Sequence, residues 1–194
     1  MLAISDSDTL CTVRKSVHGL VLVFLIGGFV AGGVGAGASA QAATRHHGVH
    51  WRLAVPAIGI SAPVAALGGH RSGLLEVPSL SSAWDVGWYR FSAAPGHQGN
   101  AVLVGHVDTY QGPAVFYDLY QLRRGDRIYL TANGGHRSVR YVVRWVREVS
   151  KRRFPTGLIF GHTHARRLWL ITCGGDFDYA TRSYEDNIIV SATS

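Results

Sequence analysis

Beyond residue 50 this chain never sustains an apolar repeat at helical spacing. Short β-rich runs return instead between Gly, Pro and Asp breaks: RLAVPAI, APVAAL, LLEVP, NAVLVGH, RIYLTA, VRYVVRWVREV, RLWLITC and NIIVSAT. Short apolar or alternating runs bounded by turn residues read as strands. Pro56 and Pro63 restrict the first two to sheet edges or bends, because proline has no N–H for a ladder. AVFYDLYQL at 114–122 is the best helical stretch and would set Val115, Leu119 and Leu122 on one face. RFPTGLIFG leaves room for one more short helix. About eight short strands with one or two small helices predict a mostly antiparallel barrel or sandwich.

The segment before this domain is of another kind. VHGLVLVFLIGGFVAGGVGAGA, residues 17–38, has His18 as its one strongly polar side chain. As a helix it would be about 33 Å long, enough to cross a bilayer core. Arg14 and Lys15 precede it and the next basic residue is Arg45, so residues 1–16 are expected in the cytoplasm and the rest outside. Ala38-Ser39-Ala40 and Ala40-Gln41-Ala42 also fit a cleavage site, which would make the domain secreted. The reading favours a single-pass membrane anchor, a linker at 39–50 and an exported domain at 51–194. His46, His47 and His50 hint at metal binding, but no carboxylate or cysteine is near them, and a soluble spacer is preferred.

Charge and cysteine content narrow the function. The net charge of +7 lies entirely after residue 42, since Asp6 and Asp8 offset Arg14 and Lys15. A basic surface favours anionic partners without choosing among them. Export removes the chain from nucleic acid, and no nucleic-acid motif is present. Cys11 and Cys173 are the two cysteines, too few for a disulfide scaffold or a four-cysteine zinc site. An anchor or a cleaved signal would both leave Cys173 without an intramolecular disulfide partner. A thiol in an exported protein then needs a reason.

Two strand ends carry the candidate chemistry. NAVLVGH finishes on Gly105 and His106, and RLWLITCGG finishes on Cys173. Loops at strand ends are common places for catalytic groups. If both ends reach one rim of a barrel, imidazole and thiol form a pair that supplies a thiolate near neutral pH. Residue type alone favours an inert core role for Cys173, and leaves His106 with Asp108 equally open as a metal half-site or a turn.

The order of blocks decides between them by resemblance. VPAIGISAPV, WYR, APGHQGNAVLVGHVDT, GPAVFYDLYQLRRGD, FPT, LITCGGDFD and SYEDNIIVSA follow one another as in the sortases, cysteine transpeptidases of the Gram-positive cell surface. The chain most resembles the actinobacterial class E/F type, closest to class F. The resemblance implies an eight-stranded β-barrel, with catalysis by Cys173, His106 and an arginine and without a cofactor. It implies attack on a Leu-Pro-x-Thr-Gly-like sorting signal of surface proteins, then transfer to an amine of a peptidoglycan precursor or pilin. Asp108 and Thr172, next to the pair, are the expected substrate contacts, and Asp108 equally suits an orienting or turn role. No acidic cluster suggests a calcium site, and no metal is expected.

The arginine is where this chain departs from the pattern. The family's arginine falls in line with Asn187, or in class F with Glu185, and a glutamate would repel an oxyanion. Arg182 is the nearest substitute, with Arg90 and Arg140 behind it. His162 and His164, in GHTHARR, read as a loop leading to the cysteine strand. Two alternatives remain: hydrolysis of the same thioacyl intermediate, and a non-catalytic basic barrel that binds anionic wall polymer.

Overall fold

The computed structural model describes residues 50–68, 76–132, 135 and 137–194. The expected cytoplasmic tail, the apolar segment and all but the last residue of the linker lie outside these. Among the described residues no helix is long and apolar enough to cross a membrane.

Eight strands close into a barrel. They are β1 (Trp51–Val55), β2 (Ile60–Leu67), β3 (Val86–Tyr89), β4 (Gly99–Val104), β7 (Arg127–Ala132), β8 (Arg137–Ser150), β9 (Arg166–Asp178) and β10 (Ser183–Thr193). Their order around the wall is β1-β2-β3-β4-β9-β10-β8-β7, and β7 pairs back onto β1. The two-residue strands β5 (Asp108–Thr109) and β6 (Gly112–Pro113) form a separate hairpin. Pairing is antiparallel except for β2 with β3 and β4 with β9.

Alternation along the strands sorts side chains to two faces. One set points inward and forms the barrel core: Leu53, Val55, Leu103, Ile128, Leu130, Tyr141, Leu170 and Val190, with Phe116 and Leu119 plugging it. The alternate set on β4, β9 and β10 builds a second cluster outside the wall, from Val102, Val104, Trp169, Ile171 and Ile189. The connection from β8 to β9 covers that outer face through Phe154 and Ile159, the latter on the short helix α1 (Thr156–Phe160). Asn100 clamps it. Its side-chain amide donates to the Gly161 carbonyl at 2.8 Å and accepts from Trp169 Nε1 at 2.9 Å. With both faces covered, β4 and β9 read as continuous apolar runs, as buried parallel pairs do.

Three local expectations change. Pro63 does not mark an edge strand: β2 is paired on both sides, but at Pro63 it has only Arg52 of β1 opposite, since pairing with β3 begins at Val64. LLEVP is not seen as a strand in its described part, Glu76–Pro78, while VGWY at 86–89, too short and glycine-containing to stand out, is β3. The expected 114–122 helix is a single 3-10 stretch, Tyr117–Gln121. Val115, Leu119 and Leu122 are buried by it as anticipated.

Candidate active site

The parallel pairing of β4 with β9 brings the two chemical groups together. Val102 lies opposite Trp169, and Val104 opposite Ile171. The Gly105 N–H continues the ladder onto the Ile171 carbonyl at 3.2 Å. Continued two residues past the end of β4, the same register would set His106 level with Cys173. Parallel neighbours in register share a face, at about 4.8 Å between strands. Both continue the outer set, and both are closed off from solvent, Cys173 at 0% and His106 at 1% exposure.

His106 is oriented by backbone. Its Nε2 lies 2.6 Å from the Pro78 carbonyl. A carbonyl only accepts, so this bond assigns the proton of the neutral ring to Nε2 and leaves Nδ1 as the basic nitrogen. The His106 carbonyl in turn accepts from the Phe116 N–H at 2.9 Å. The segment misread as a strand thus supplies the group that sets the imidazole.

Thr172 is turned away from Cys173. It belongs to the opposite set from Cys173, is 1% exposed, and its hydroxyl donates to the Gly105 carbonyl at 2.8 Å. It ties the two strand ends together instead. Across the wall Cys173 pairs with Asn187 of β10, also on the outer face and 2% exposed, whose amide donates to the Thr172 carbonyl at 3.1 Å.

Arg182 is elsewhere. It sits in the turn between β9 and β10, exposed and left-handed at φ 51°. Asp178 braces this turn, accepting from the Ala180 N–H and the Thr181 hydroxyl, each at 2.8 Å. Those bonds hold the Asp178 carboxyl below its ordinary range. From Arg182 to the level of Asn187 is about 16 Å at strand rise, beyond the reach of its side chain. The other named arginines are also engaged away from Cys173: Arg90 stacks over Phe91, and Arg140 lies opposite Tyr129. Glu185 shares the outer face of β10 with Asn187 and is exposed.

The two glycines after Cys173 serve the backbone. Between Tyr184–Phe177 and Asp186–Gly174 the ladder takes two steps on β10 and three on β9, a bulge on the cysteine strand. Gly175 adopts φ +75° there, and a Cβ on Gly174 would come within 2.7 Å of Ile188. His162 and His164 lie in the loop before β9, as expected, at the opposite end from Cys173.

The fold and site meet an independent comparison. A family model described as a sortase domain matches residues 53–194. The chain belongs to the sortase family. Among solved structures it is similar to sortase A from Corynebacterium diphtheriae, at 21% identity and TM-score 0.56 over 75% of this chain and 60% of that one. It is also similar to sortase C-1 from Actinomyces oris, at 20% identity and TM-score 0.56 over 74% and 72%. A Clostridium perfringens sortase D5 transpeptidase matches at 19% identity and TM-score 0.54 over 75% and 78%. This sortase therefore spans less than two thirds of the Corynebacterium chain. None of the curated proteins matches it.

Proposed function

We propose that this sortase is an exported, membrane-anchored cysteine transpeptidase of the class E/F type, acting on C-terminal sorting signals of surface proteins. The observation that supports it is the parallel β4–β9 register, Val104 opposite Ile171, which sends the chain toward His106 and Cys173 at the same barrel rim. The class reading rests on the blocks VGHVDT, LITCGGDFD and SYEDN.

In the proposed reaction the reduced Cys173 thiolate attacks the scissile carbonyl, and a C–S bond forms as the carbonyl electron pair moves to oxygen. The C–N bond then breaks, and protonated His106 gives its proton to the leaving amine. An acceptor amine of a wall precursor or pilin attacks the thioester, its proton passes to His106, and the C–S bond breaks to restore the thiolate. Water in place of the amine gives hydrolysis. The oxyanion needs a donor. The resemblance implies an arginine, for which Arg182 is the nearest substitute, but the group in register with Cys173 is the Asn187 carboxamide. We assign the role to Asn187. A single such donor is worth about 10²–10³ in rate.

The test is a peptide carrying a Leu-Pro-x-Thr-Gly-like signal, incubated with the reduced full-length protein with and without an amine. Product masses distinguish amide from acid. Cleavage should vanish in Cys173→Ala and His106→Ala. Unchanged cleavage in either variant, or native Cys173 inert to an alkylating reagent after reduction, would favour the non-catalytic barrel.

A further inference from the structure

Asp108 follows His106 by two residues and opens β5. Its Oδ2 accepts from the Tyr184 hydroxyl at 2.5 Å, a bond that joins the histidine's loop to the β9–β10 hairpin. Its Oδ1 has no partner. Among the described residues it is the one buried side-chain oxygen or nitrogen left in that condition. A buried carboxylate oxygen without a donor costs free energy, and groups so placed in native proteins call for an explanation.

The surroundings point to the missing partner. Tyr184 packs edge-on to Phe177 with ring centroids 5.1 Å apart, and Phe177 packs on Tyr179 at 5.0 Å. The phenols of Tyr117 and Tyr179 lie close enough to Tyr184 to act on its ionisation. Burial first, and then the Asp108 carboxylate, hold the Tyr184 phenol protonated, so it stays a neutral donor. A carboxylate bordered by aromatic rings suits a cation of ammonium type and disfavours an anion. The two phenols that act on Tyr184 keep much of their surface in water: Tyr117 is 45% and Tyr179 84% exposed.

We propose that Asp108, framed by Tyr184 and Phe177, receives the ammonium group of the acceptor amine that resolves the thioacyl enzyme. The catalytic half of this inference rests on the transpeptidase reading above. Held two residues from His106, the ammonium sheds one proton to solvent. As the amide bond forms and the C–S bond breaks, its second proton goes to His106, which regenerates the thiolate–imidazolium pair.

The experiment compares wild type with Asp108→Asn, which keeps an acceptor for Tyr184 and removes the charge. Two nucleophiles are used with the sorting-signal peptide: cadaverine, an ammonium ion at neutral pH, and hydroxylamine, uncharged there. Asp108→Asn should weaken use of cadaverine much more than it affects release of the leaving fragment or use of hydroxylamine. It should raise KM for cadaverine about tenfold or more, the worth of a charge-assisted hydrogen bond. Equal loss with both nucleophiles would assign Asp108 a structural role, and unchanged use of cadaverine would also overturn the proposal. Calorimetric binding of cadaverine to Cys173→Ala, with and without Asp108→Asn, reads the site even if no peptide is cleaved. Binding should weaken about tenfold on the same grounds. Absence of binding, or binding indifferent to Asp108, would refute the ammonium site without bearing on cleavage.

Discussion

The Thr172 hydroxyl donates to the Gly105 carbonyl at 2.8 Å, and the next residue on each strand is Cys173 and His106 respectively. The bond crosses the parallel pair where the regular ladder of β4 has ended, so it holds the stagger on which the pair depends. Thr172→Val keeps the shape and leaves a buried carbonyl unpaired. It should cost about 1–3 kcal/mol. A thermal melt would register this, with acylation slowed further than the melt alone explains. Thr172→Ser should restore both.

Asn187 and Arg182 can be separated by reaction type. Asn187→Ala should slow thioacylation about 10²-fold while leaving alkylation of reduced Cys173 by iodoacetamide nearly unchanged, because alkylation develops no oxyanion. Arg182→Ala, an exposed charge in a turn, should stay within about twofold of wild type. A severe loss in Arg182→Ala alone would return the role to the arginine.

Glu185 shares the outer face of β10 with Asn187. Glu185→Arg replaces a charge that repels an oxyanion with one that attracts it. The sign of its effect is therefore set: faster thioacylation, measured by release of the leaving fragment. Slower thioacylation would mean that the position does not face the oxyanion.

Gly175 holds the bulge after Cys173. Gly175→Ala meets both a left-handed backbone and a Cβ position 2.6 Å from the Asp186 carboxylate. A loss of about 1–3 kcal/mol is expected, read as a lower denaturant midpoint.

Lys151 gives a pH signature. Its amine donates to the Ser183 hydroxyl at 2.9 Å. Burial lowers its pKa to about 8, against the opposing pull of the Asp186 carboxylate. The unfolded lysine titrates near 10.4, so between roughly pH 8 and 10.4 the unfolded chain holds a proton that the folded one has released. Stability from this group therefore rises with pH across that window and is lowest below it. Melting curves of wild type against Lys151→Met should show the wild type gaining relative ground from pH 8 to 10. A constant difference would exclude the burial penalty.

Much of the barrel was legible because its longest strands are apolar on one or both faces. β8, β9 and β10 announce themselves by composition, and the order of blocks around His106 and Cys173 carries the family. What local sequence does not carry is register. Thr172 adjoins the cysteine in sequence, yet alternation turns it to the other face. Arg182 is five residues from Asn187 in sequence, but an extended strand makes them distant. VGWY does not stand out, because a four-residue strand is recognisable only from the β2 and β4 partners that hold it. Glu76–Pro78 looked apolar enough for a strand and instead lends a carbonyl to His106.

The β4–β9 pairing has a kinetic consequence. The residues it joins are 67 apart in sequence, as Val104 and Ile171 are. Contacts of such separation form late, after the entropy of closing a long loop has been met. Cys173 and His106 thus become neighbours only as the penultimate strand docks into the wall. A chain whose barrel has not yet formed, or has opened, carries both residues and not the pair.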